Sequence, residues 1–132
     1  MSGGEDLALW RADGSSMGRR WGPKALLMTR PLQSGERARF GDVVVYELGE
    51  GLIAHRVVGV GDVAGGAMYR TQGDAAWTPD GLEIPEVKLR GVVVAVVRGE
   101  KMRAFTRMES VLTGGWLRLK ALIATRGSVR PG

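Results

Sequence analysis

The chain has no cysteine among its 132 residues and a single histidine. The first absence excludes disulfides, cysteine nucleophiles and thiolate metal sites. With only one imidazole besides, the donor set of a structural zinc is missing, and no metal or cofactor is expected. Aromatic residues are scarce, at 6%. No stripe interleaves them with basic residues, so no nucleic-acid partner is expected. Long apolar runs are missing as well. The longest, Gly91 to Val97, falls far short of the roughly 20 residues that span a bilayer. The opening residues, Met1 to Trp10, carry Glu5 and Asp6 and lack the basic-then-apolar order of a secretory signal, which points to the cytoplasm.

Glycine, by contrast, is abundant, at 21 residues, and it punctuates short apolar runs. That pattern predicts a mainly β fold with strands joined by tight turns. The length favours one domain, residues 1–132, with its core over about 10–98. Hydrophobic residues make up 44% and charged residues 25%, ordinary for a globular chain. The formal net charge is +5, without a block of consecutive like charges.

Strands are predicted over Leu7 to Trp10, around Ala25 to Met28, and over Asp42 to Leu48, where Val43, Val44, Val45 and Tyr46 are β-branched or aromatic. A hairpin-type turn at Gly49-Glu50-Gly51 leads to a returning strand, Leu52 to Val60. Gly61 to Gly66 reads as a turn, Ala67 to Thr71 as a strand and Gly73 to Gly81 as a loop. Val87 to Arg98 is a buried strand, and Lys101 to Thr106 extends it or pairs with it. Between Thr113 and Ala124 the apolar residues Trp116, Leu117, Leu119, Leu122 and Ile123 fall at helical spacing, within an amphipathic helix expected over 108–126. Such a helix packs on the sheet or serves a peripheral membrane or partner contact.

Three polar groups sit in separate glycine-punctuated segments. Ser16 follows Gly14-Ser15, where the backbone can bend sharply and present a hydroxyl. His55 lies in the strand Ile53-Ala54-His55-Arg56-Val57-Val58; alternation sends Arg56 to the opposite face. Asp74 and Asp80 share the loop after Thr71. Each has an ordinary structural explanation: serine and aspartate are common turn formers, and Pro79-Asp80-Gly81 is a strong turn signal by itself. Together they supply a hydroxyl nucleophile, an imidazole base and a carboxylate to orient it, with either aspartate able to take the last role.

The joint order resembles the type I signal peptidase superfamily, which includes self-cleaving repressors. Gly14-Ser15-Ser16-Met17 is similar to the family's nucleophile box. Gly41-Asp42-Val43-Val44 is similar to its Gly-Asp strand, His55-Arg56-Val57-Val58 to the base motif, Thr71-Gln72-Gly73-Asp74 with Asp80 to the acidic box, and Gly91-Val92-Val93 to the closing strand. The set spans about Trp10 to Arg98. Histidine at 55, where the bacterial enzymes carry lysine, resembles the archaeal and endoplasmic-reticulum branch. That resemblance implies a twisted antiparallel β domain and a serine endopeptidase in which Ser16 attacks, His55 is the general base and Asp80, in the second acidic position, orients His55, with Asp74 in support. It also implies a peptide or protein substrate bound as an extended strand, for instance a leader or modified peptide. Three features depart from the family: about fifteen residues precede Ser16, none of them an apolar span; Met17 is followed by Gly18-Arg19-Arg20-Trp21 rather than by an early proline; and Ala75-Ala76-Trp77 follows Asp74 where the family frequently has asparagine. The second departure motivates an alternative, a catalytically degenerate member that binds peptides without cutting them.

Overall fold

The computed structural model describes residues 7–11, 25–49, 51–64 and 66–129. They form strands β1 (Ala8–Arg11), β2 (Leu26–Arg30), β3 (Val43–Leu48), β4 (Gly51–Val63), β5 (Gly66–Gln72), β6 (Glu83–Pro85), β7 (Leu89–Arg98) and β8 (Lys101–Ala104), followed by one helix, α1 (Arg107–Val129). All pairings are antiparallel. The strand order is β1-β2-β7-β3-β4-β5-β6, with β8 folded back on β7, and the sheet curls into a half-barrel. The mainly β class predicted from glycine and β-branched patterning is the class observed.

β3 shows why the sheet curls. Val43, Val44, Val45 and Tyr46 are all buried, although neighbours in a strand point to opposite faces. Both faces therefore carry a core. Val43 and Val45 pack with Ala25, Leu27, Val93 and Val96. Val44 and Tyr46 pack with Val57, Tyr69, Ile84 and Val92 on the other side. The Val-rich run is the sequence signature of a strand covered twice.

Two expectations are corrected, and one strand is added. Gly61 to Gly66 is not a turn throughout: β4 continues to Val63 and pairs residue by residue with β5, Val63 opposite Gly66. These residues form an exposed two-stranded ribbon, where glycine costs little because no side chain is needed for packing. β6 was not predicted; it is a three-residue edge strand that buries only Ile84 and ends on Pro85, a residue edge strands tolerate. Finally, α1 is longer than the predicted helix at both ends. Its start is fixed by Thr106, whose Oγ1 accepts the Glu109 N–H at 3.1 Å.

Gly41 and Gly114 set how closely α1 approaches the sheet. Gly41 has φ +92°, and a Cβ there would lie 2.6 Å from the Ser110 carbonyl oxygen. A Cβ on Gly114 would meet the Phe40 ring at 2.9 Å. The two glycines let backbone touch backbone, which seats the buried Ser110 and Leu117 against the sheet. Arg107 ties the helix start to the same corner, through Asp42 Oδ1 at 2.8 Å and the Phe40 carbonyl at 2.5 Å. Among the described residues no helix is long and apolar enough to cross a membrane.

Candidate active site

β4 runs between β3 and β5 and carries His55 and Arg56 next to each other, facing opposite ways. In register, His55 lies opposite Val44, Ile53 opposite Tyr46, and Val57 opposite Thr71. Residues 46, 55 and 71 therefore share one face. The loop after β5 brings Asp80 to that face. Its backbone is pinned where the Asp80 N–H donates to the Thr71 carbonyl at 2.8 Å.

Three side chains converge on one oxygen, Asp80 Oδ2. His55 Nδ1 lies 2.5 Å from it, the Thr71 hydroxyl donates at 2.7 Å, and the Tyr46 hydroxyl donates at 3.2 Å. Tyr46 and Thr71 are also 3.0 Å apart. Thr71 has one proton, committed to Asp80, so the Tyr46 proton is shared between Thr71 and Asp80. Burial opposes ionisation of Asp80, but the hydrogen bonds from His55, Thr71 and Tyr46 and the attraction of His55 outweigh it and hold its carboxyl below the usual range. Tyr46 is pushed the other way: burial above all, and to a smaller degree the neighbouring Asp80 carboxylate, raise it to about 12 despite the opposing hydrogen bond with Thr71. The phenol stays protonated and the carboxylate stays charged, the combination in which each hydrogen bond has a donor and an acceptor. A charged Asp80 accepts Nδ1–H, which leaves Nε2 as the lone-pair nitrogen of the neutral ring.

Arg56 builds a second cluster on the opposite face. Its Nε and Nη2 donate to Asp74 Oδ1 and Oδ2, each at 2.8 Å, and its Nη1 donates to the Gly41 carbonyl at 2.8 Å. The guanidinium thereby joins the acidic loop to the Gly41-Asp42 turn that opens β3. Gln72, opposite Arg56 in register, donates to the Ala76 carbonyl at 3.0 Å and tightens the loop. Lys120, buried on α1, donates to the Asp74 carbonyl at 2.9 Å and lies 5.3 Å from the centre of the Trp77 ring and 5.9 Å from that of Trp116.

The structure thus brings His55 and Asp80 together and gives both oxygens of Asp74 to Arg56. The support expected from Asp74 runs through Arg56, which holds both of its carboxylate oxygens, and through the loop's backbone, held by Lys120 at the Asp74 carbonyl. Ser16, with the whole nucleophile box Gly14 to Met17 and the segment Gly18 to Pro23, lies outside the described residues. Sequence reasoning missed Tyr46 and Thr71 as partners of Asp80. Their signal was parity: each stands an even number of strand positions from the register partner of His55 or Val57. Lys120 carried no signal, since a lysine in an amphipathic helix ordinarily faces solvent. No protein-family model, no curated protein and no solved structure matches the chain.

Proposed function

We propose that the chain is a serine endopeptidase resembling type I signal peptidases of the Ser-His-Asp kind. The observation that carries this reading is the 2.5 Å contact of His55 Nδ1 with an Asp80 carboxylate that two hydroxyls hold in its charged form. A serine is a weak nucleophile until a base takes its proton, and a base needs the correct tautomer. Asp80 supplies that tautomer.

In the proposed reaction Ser16 Oγ attacks the scissile carbonyl carbon while its proton passes to His55 Nε2. The tetrahedral intermediate collapses: the C–N bond breaks, and the leaving amine takes the proton from His55. Water then attacks the Ser16 ester while giving a proton to His55; the C–Oγ bond breaks, His55 returns that proton to Ser16 Oγ, and the acid product leaves. Substrate binds as an extended strand, held mainly by main-chain hydrogen bonds.

Mass spectrometry of a diverse peptide pool, incubated with wild type and with Ser16→Ala, tests the proposal. Products from wild type alone are expected. Equal cleavage by Ser16→Ala overturns the assignment of the nucleophile. Peptide capture without product by either form gives the binding-only alternative that the segment after Met17 motivates.

A further inference from the structure

We propose that the outward face of α1 docks on an anionic lipid surface. The inference is independent of whether Ser16 cuts peptides. One side of α1 is spoken for: Ser110, Gly114, Leu117 and Lys120 are buried against the domain. On the opposite side Met108, Leu112, Trp116, Leu119, Leu122 and Ile123 are all exposed, at the three- and four-residue spacing that gathers side chains into one stripe. The close contacts at Gly41 and Gly114 fix the rotation of the helix, so the stripe is held outward.

Charge selects the occupant. From Arg98 onward the chain has eight basic and two acidic residues; the 97 residues before it have eleven basic and twelve acidic. The whole positive excess therefore belongs to the β7–β8 hairpin tip, α1 and the tail. Arg98, Lys101 and Arg118 are exposed, and so is Met102 beside them. The hairpin adjoins the helix start: Arg98, Lys101, Met102 and Arg103 line one cleft with Glu109 and Ser110 of α1, and Arg103 pairs with Glu109. An apolar helix face bordered by cations, with a tryptophan on its flank, suits the boundary between headgroups and acyl chains. A second copy fits worse, because a symmetric contact would bring two positive ends together.

Flotation of the full chain with vesicles decides the matter. One set is pure phosphatidylcholine; the other holds equal parts phosphatidylcholine and phosphatidylglycerol. Binding to the anionic vesicles is expected, weakening as salt rises. The pair Leu112→Glu and Leu119→Glu sits on exposed positions and should leave the circular dichroism spectrum unchanged while weakening binding about a hundredfold. The pair Arg98→Gln and Lys101→Gln, which leaves the helix intact, should weaken it about tenfold. Absence of binding to anionic vesicles at low salt overturns the proposal, as does wild-type binding by both variant pairs. A dimer in light scattering that the Leu112→Glu, Leu119→Glu pair abolishes assigns the face to a second copy instead.

Discussion

Two aspartates six residues apart in one loop meet two neighbouring residues of β4, and the two pairs are built for different work. On one face Arg56 grips Asp74 with two parallel bonds, and the side chains are 3% and 10% exposed. On the other, His55 meets Asp80 through a single nitrogen, with side chains 13% and 26% exposed. An arginine keeps its charge at any ordinary pH and fits a carboxylate in a planar fork. It makes a clamp. An imidazole changes charge near neutrality and needs one nitrogen left over for other chemistry. The first pair fixes the loop; the second fixes the tautomer of an imidazole, which in the proposed reaction is the base. Position in the loop decides nothing by itself. The face to which each carboxylate is delivered decides it.

If the two pairs differ in this way, damage to the His55 face should cost turnover, and damage to the Arg56 face should cost stability. The largest effect is expected from Asp80→Asn. An amide donates to Nδ1 where the carboxylate accepted from it, so Nε2 becomes the protonated nitrogen and the base is lost. Turnover in the peptide-pool assay should fall about ten-thousandfold, the order seen when a triad aspartate becomes an amide. The same substitution has a pH signature in stability. Asp80 is held below its ordinary range in the folded chain. Its contribution is therefore present above the unfolded value and is lost as pH falls through the folded one. Chemical denaturation along an acid series should show the wild type losing stability through the carboxylate range more steeply than Asp80→Asn. Parallel pH profiles would mean that the hydrogen bonds and the imidazole do not outweigh the burial of Asp80.

Arg56→Met comes next. It removes both guanidinium bonds from the Asp74 carboxylate and the bond to the Gly41 carbonyl, and it leaves that carboxylate in a buried site. Truncating one partner of a buried pair costs about 3–5 kcal/mol, and equilibrium denaturation should show a loss of that order. Turnover per folded molecule should change little beside the effect of Asp80→Asn. The opposite result, stability kept and turnover lost, would break the division between the two faces.

Much of this arrangement was legible in sequence. Alternation along β4 separated His55 from Arg56, and the β-branched and aromatic run Val43 to Tyr46 marked a strand, which the structure buries on both faces. Less legible were features decided by partners distant in sequence. Nothing local distinguishes the turn former Asp74 from the turn former Asp80. The choice is made by the bond from the Asp80 N–H to the Thr71 carbonyl and by a guanidinium already waiting on the other face. Gly61 suggested a turn because glycine usually punctuates, yet here it lies in a ribbon whose exposed pairing carries β4 onward to Val63. The helix boundary at Arg107 depended on a threonine cap, and the helix's tolerance of Gly114-Gly115 on the Phe40 ring that fills the space a side chain would occupy.

Lys120 offers the finest test of the contrast, because it too reaches Asp74 but grips the backbone instead of the carboxylate. Lys120→Met keeps the volume, and it removes the ammonium with its bond to the Asp74 carbonyl and its cation–π contacts to the Trp77 and Trp116 rings. One such bond and a pair of ring contacts are worth about 1–2 kcal/mol together. Denaturation should register that smaller loss, well below the loss from Arg56→Met. Turnover should stay near wild type, since the guanidinium still holds the loop's carboxylate and the Asp80 N–H still holds to Thr71. Should Lys120→Met instead match Arg56→Met in stability, the clamp on the loop would belong to α1 as much as to β4. The helix would then be part of what delivers Asp80 to the histidine, and disturbance of its outer face would be felt at the base.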